Sequence, residues 1–167
     1  MKHPSRIRPM ALVAALVALA ACGDDPTTVE DHLDVEGIAI YDGTTEIYRY
    51  ALDDGSPAPL TLDTGVHEVL FVLLDGDGDP LPEDDDHDDE EEHELRVDIT
   101  DESILTWTAE DHDHDIHDFI AFGGELEGLQ AGTTTLRLCV PHGGHCDFEV
   151  GDYEGGSGGI VVAVQAP

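Results

Sequence analysis

From Leu33 onward, apolar and polar residues alternate in short runs broken by Gly, Asp and Pro, the period-two signature of half-buried strands. Val35, Gly37, Ala39 and Tyr41 alternate with Glu36, Ile38 and Ile40, and Asp42-Gly43 marks a hairpin into a strand from Glu46 to Leu52. The stretch Asp53 to Pro59, DDGSPAP, reads as loop. Leu60, Leu62 and Val66 predict one strand, and Val69 to Leu74 predict a second, apolar enough for the centre of a sheet. Beyond residue 94, Leu95, Val97 and Ile99 alternate, and Ile104 to Ala109 surround the single tryptophan, Trp107. Phe119 to Phe122 follow, Gly123-Gly124 turn into Glu125 to Leu129, and Ala131-Gly132 turn into Thr133 to Val140. Cys146 to Val150 and Ile160 to Val164 close the series across the glycine-rich Gly155 to Gly159. Many short strands at regular spacing, with no sustained helical period outside the N-terminal segment, predict an all-β sandwich.

The N-terminal segment is of another kind. Lys2, Arg6 and Arg8 precede an uninterrupted apolar stretch from Met10 to Ala20, too short to span a bilayer as an ordinary helix, which is the pattern of a secretory signal. It ends in Leu19-Ala20-Ala21-Cys22, which resembles the lipobox of bacterial lipoproteins. The resemblance implies cleavage before Cys22, lipidation of that thiol and anchoring by several acyl chains. Gly23 after Cys22, where Asp would favour retention, implies the outer membrane of a bacterial envelope. The chain thus divides into a signal helix at 1–21, a tether at 22–32 and a β-sandwich at 33–167.

Charge narrows the partners. The net charge is −33 with His neutral, and after the signal only Arg49, Arg96 and Arg137 carry positive charge. Such a polyanion is repelled by nucleic acid, which excludes DNA and RNA as partners and leaves cations or a basic protein surface. The acids are concentrated. Within the predicted loops 75–94 and 110–118, EDDDHDDEEEHE at 83–94 and EDHDHDIHD at 110–118 place five of the ten histidines among carboxylates. Solubility requires charge and gains little from imidazole, whereas mixed carboxylate and imidazole suits borderline divalent cations, Zn²⁺ first and then Ni²⁺ or Cu²⁺.

Counting alternate connections from the strand ending at Leu74 puts both clusters and the Gln130–Gly132 turn at one end, and His142-Gly-Gly-His145 at the other. A shared site would draw nitrogen from His87, His93, His112, His114 or His117. Oxygen would come from Asp84 to Asp86, Asp111, Asp113 or Asp115. So many near-equivalent ligands predict multiple occupancy and modest affinity, weakening as pH falls because protons compete for imidazole. Asp75-x-Asp77-x-Asp79 resembles the opening of a calcium loop, but Pro80 and Asp86 stand where an EF-hand needs Gly and Glu, so Ca²⁺ ranks below the transition metals.

Cys139 and Cys146, close together in an exported chain, read as a disulfide. A four-residue turn at Pro141 to Gly144 would set the two cysteines directly opposite, and a two-residue Gly143-Gly144 turn would leave them diagonal. A Cys₂His₂ metal site with His142 and His145 is the alternative. His32 and His67 stand alone and read as ordinary polar residues. No nucleophile elbow, phosphate-cradling loop or defined acid/base pair is present, which predicts a non-enzyme.

Leu105-Thr106-Trp107 followed by GELEGLQAGTTTL at 124–136 is similar to the C-terminal half of bacterial Ig-like domains, over roughly a quarter of the chain. That resemblance implies an Ig-like β-sandwich. Two functions follow from these readings: a lipid-anchored protein that binds or buffers divalent metal through its His/acid loops, or an Ig-like structural or interaction module whose acidic loops serve solvation or docking to a basic partner.

Overall fold

Strand β4 (Gly65–Leu74) puts Val69, Phe71 and Leu73 on one face and Leu70, Val72 and Leu74 on the other, and its second half is buried on both. A strand apolar on both faces belongs at the centre of a sheet, where neighbours pair both edges. The computed structural model describes residues 33–51, 58–82, 94–110, 119–142, 145–151 and 158–167, all within one compact unit, His32–Pro167. The signal segment and tether lie outside the described residues.

In that unit β4 pairs with β1 (Gly37–Asp42) on one edge and β7 (Ala121–Gly128) on the other, both antiparallel. Strands β2 (Thr45–Ala51) and β6 (Leu105–Ala109) complete a first sheet in the order β2-β1-β4-β7-β6. The second sheet runs β3 (Leu60–Asp63), β10 (Ile160–Gln165), β8 (Gly132–His142), β5 (Arg96–Ile99), and β9 (His145–Val150) pairs with β8. All pairings are antiparallel except that of β3 with β10. The protein is an all-β sandwich, as its alternation predicts.

The inner faces supply one core. Ile38, Ile40, Phe71, Leu73, Leu105 and Leu126 of the first sheet meet Leu60, Leu62, Leu136, Leu138, Phe148, Ile160 and Val162 of the second, all 0–4 % exposed. Phe71 meets the ring of Trp107 edge to face, with centroids 5.2 Å apart and planes at 84°. On the outer face of the first sheet, Ala39, Val72, Leu74 and Ala121 form a second, smaller cluster.

Two boundaries differ from the sequence pattern. Val66 belongs to β4, because the chain changes sheet one residue earlier: Thr64 N–H donates to the Gln165 carbonyl at 2.9 Å, and Gly65 takes φ 128°, a conformation open to glycine. Gly123-Gly124 is no turn but the middle of β7, paired with Val69 and Leu70 of β4. The missing side chain at Gly124 makes room for the Trp107 ring and the Thr108 carbonyl, into which a Cβ there would fall. Glycine inside a strand marks this kind of close approach as readily as it marks a turn. The sequence offers no means of choosing between them.

Replacing Gly124 by Ala should therefore displace Trp107 and cost about 1–3 kcal/mol by overpacking. The measurement is the urea midpoint of the intact domain; an unchanged midpoint would refute the role given to this glycine.

Candidate functional site

The acidic run at 83–93 and the cluster at 111–118 lie outside the described residues, and with them His87, His93, His112, His114, His117, Asp86, Asp111, Asp113 and Asp115. Cys22 does so as well. What the structure places are the stems from which these segments leave. Strand β6 is antiparallel to β7, and β7 to β4, so β4 and β6 finish at the same end of the sandwich where β7 begins. The stems at Pro82, Glu110 and Phe119 therefore share that end, and Glu94, which precedes β5, joins them.

Two of the stems touch. Pro82 and Phe119 form an antiparallel bridge. Three backbone hydrogen bonds frame it: Leu81 N–H to the Leu73 carbonyl at 2.9 Å, Ile120 N–H to the Leu81 carbonyl at 2.9 Å, and Leu73 N–H to the Ile120 carbonyl at 3.2 Å. The acidic run thus starts beside the point where the histidine cluster ends. Leu95 is buried, and Glu110 N–H donates to the Gly123 carbonyl at 3.1 Å, so the other two stems are also fixed to the sheets.

Because β7 is continuous, the count of alternating connections shifts by one beyond it. The Gln130–Gly132 turn lies at the far end of the sandwich, with Leu129 N–H donating to the Ile104 carbonyl at 2.9 Å. Strand β8 runs back antiparallel to β5, which brings the β8–β9 hairpin tip to the end that carries the acidic stems. Both positions reverse the expectation from the sequence, for the single reason that two glycines were read as a turn.

That hairpin carries a disulfide between Cys139 and Cys146, with Cα atoms 5.4 Å apart. Oxidised sulfur offers no thiolate, so the Cys₂His₂ alternative falls. The register is the diagonal one: His142 pairs with His145, Pro141 with Cys146, and Cys139 with Glu149. A register shift between Val140 and Pro141 leaves Asp147 as an extra residue on β9, and the local bend accompanies bonding between diagonal cysteines. Simple alternation with Cys146, Phe148 and Val150 would send Asp147 outward. Instead its side chain is 1 % exposed, 3.1 Å from His145 Nε2, and accepts a hydrogen bond from Leu33 N–H at 3.4 Å. Nothing in the sequence marks it as the bulge.

The Asp75–Asp79 segment is a turn closed on itself. Asp75 Oδ1 accepts from the amides of Asp77 and Asp79, each at 2.9 Å, and Asp75 N–H donates to the Asp79 carbonyl at 2.9 Å. A side-chain oxygen engaged with its own backbone is what an Asp-Gly turn provides without any ion. Arg49 caps the turn from β2, its Nη1 donating to the Gly78 carbonyl at 2.9 Å while Nε and Nη2 hold Glu46 at 3.1 and 2.7 Å. The Arg49 hydrogen bond keeps the Glu46 carboxyl below its ordinary pKa, with burial opposing it. Arg137 likewise holds Asp98 at 2.6 Å, and Arg96 lies 3.5 Å from Glu94. Among the described residues, no group of three or more His, Cys, Asp or Glu side chains is arranged to hold a metal ion.

No protein-family model matches the chain, and no curated protein matches it. Among solved structures it is similar to domains 4 and 5 of the S-layer protein SbsC, at 12% identity and a TM-score of 0.37. The match covers 77% of this chain and 65% of that one, so the chain spans less than two thirds of that structure's length.

The disulfide closes a short loop, with a sequence separation of 7. Chain entropy for a loop of that size gives about 2.5 kcal/mol. Changing Cys139 and Cys146 together to Ser should lower the stability measured by urea unfolding by that order, and the wild type in reductant should fall to the same midpoint. Two titratable thiols in the oxidised, unfolded wild type would disprove the bond.

Proposed function

We propose that the protein is an extracytoplasmic interaction module: a rigid β-sandwich that presents one acidic, histidine-bearing rim to a partner carrying positive charge. The pairing of Pro82 with Phe119 carries this reading, since it roots the two acidic segments side by side. Charges of one sign gathered at one end of a low-dielectric body reinforce each other's field, which steers a basic surface toward that end. Carboxylates scattered evenly would not do so. On the scaffold, Glu46, Asp98 and Glu94 each face an arginine.

Export is supported by the disulfide, a bond that persists in oxidising compartments, and by the signal-like segment that ends in Leu19-Ala20-Ala21-Cys22. On this reading Cys22 is lipidated and holds the module at a bacterial envelope, in the outer membrane given Gly23. The module binds and does not catalyse.

A second reading is favoured by the histidines themselves. The segments that carry His87 and His93, and His112, His114 and His117, join the sandwich at paired stems, and imidazole among carboxylates suits Zn²⁺, Ni²⁺ or Cu²⁺ better than Ca²⁺. The rim then collects divalent metal with modest affinity.

Calorimetry separates the two. The processed domain is titrated with a lysine-rich polypeptide and, separately, with Zn²⁺, Ni²⁺, Cu²⁺ and Ca²⁺. The same titrations follow on a variant with His87, His93, His112, His114 and His117 changed to Asn. Binding of the polypeptide that drops steeply with salt and survives the five changes is the result expected of the interaction module. Saturable Zn²⁺ binding that the five changes abolish would transfer the function to metal. Absence of heat with every titrant would defeat both.

A further inference from the structure

His67 lies at the opposite end of the sandwich from the acidic rim, near the start of β4, on the inner face between the sheets. Its Nδ1 is 3.1 Å from Asp42 Oδ2, on β1 of the same sheet, and its Nε2 is 3.1 Å from the carbonyl oxygen of Asp63, the last residue of β3 in the other sheet. Both partners are acceptors. A neutral imidazole carries one N–H and can satisfy only one of them, whereas an imidazolium donates to both.

We propose that His67 is a proton-dependent clamp between the two sheets, closed when the ring carries both protons and loosened when it loses one. Its surroundings favour the charged form. Asp42 faces it from β1 and Asp63 from β3; across β7 its register partner is the neutral Leu126, flanked by Glu125 and Glu127; Glu68 follows it on β4; and β10 contributes the neutral Gln165 beside Asp63. Every charged group in that set is acidic. Burial works against the imidazolium, but the hydrogen bonds to Asp42 and to the Asp63 carbonyl outweigh it, so the ring's pKa stands above the ordinary 6.5.

The sign of the pH dependence follows. A group whose pKa is raised by folding contributes its full stabilisation below the unfolded value near 6.5 and loses it as pH rises through the folded value. The clamp thus engages on mild acidification. Metal held by histidines at the rim would respond with the opposite sign, so the two effects are separable.

The test uses the whole domain. Urea midpoints are measured from pH 6 to pH 8 for the wild type and for His67→Gln, and the His67 ring is titrated by NMR in the wild type. The wild-type midpoint should exceed the variant's most at pH 6, with the gap narrowing toward pH 8, and the ring should titrate above 6.5 with both nitrogens protonated on the acid side. Parallel stability curves overturn the proposal. So does a ring that titrates at or below 6.5, a result obtained on the wild type even if the variant fails to fold.

Discussion

The packing of β4 between two antiparallel neighbours is the constraint on which the rest of this molecule depends. Its inner face delivers Phe71 and Leu73 to the core, and its outer face delivers Val72 and Leu74 to the second cluster, so its register cannot slip by one residue without exchanging the two. Full burial of a side chain such as Phe71 stabilises by about 1.5–3 kcal/mol, against a typical net domain stability of about 5–15 kcal/mol. The same register places the end of β4 beside Leu81 and Ile120. The stems at the acidic end are therefore placed by core packing.

A chain this negative must fold against its own repulsion. Part of the answer lies in where the few cations stand. Arg49 joins Glu46 of its own strand β2 to the Gly78 carbonyl in the turn after β4, and its register partner on β1 is Ala39. Arg137 ties Asp98 of β5 at 2.6 Å and Thr100 at 3.1 Å. Asp101 is held below its ordinary pKa by the Ser103 hydroxyl and amide, a local hydrogen-bonding solution that needs no cation. An exposed ion pair such as Arg49–Glu46 contributes little, on the order of 0.2–1 kcal/mol, but it offsets like-charge repulsion at the sheet edge.

Much of the architecture was legible in the sequence because strands alternate with a period of two and the turns between them use Asp, Gly and Pro. Val69 to Leu74 announced a central strand, and Cys139 with Cys146 announced a disulfide. Glycine defeated the reading at Gly123-Gly124, since the residue that permits a turn also permits an indole ring to lie against the backbone. That one ambiguity moved two connections to the wrong end. Asp147 was illegible for a related reason: a bulge is a property of two strands in register, and neither strand encodes it alone. His67 reads as an ordinary polar residue, and its double hydrogen bond arises only when the change of sheet after β3 sets the nearby Asp63 carbonyl beside the ring and β1 brings Asp42 to the other nitrogen. Counting connections predicts that the acidic segments share one end; the segments lie outside the described residues, and of their stems Pro82 and Phe119 pair there.

The attachment of Leu33 to Asp147, together with Glu36 N–H donating to the Leu74 carbonyl at 2.9 Å, fixes the entry of the chain at the end of the sandwich that bears the acidic stems. Strand β10 leaves at the opposite pole, where Gln165 pairs with Asp63. The first and last described segments of the chain thus stand at opposite ends of the sandwich, and His67 shares the end where the last strand finishes.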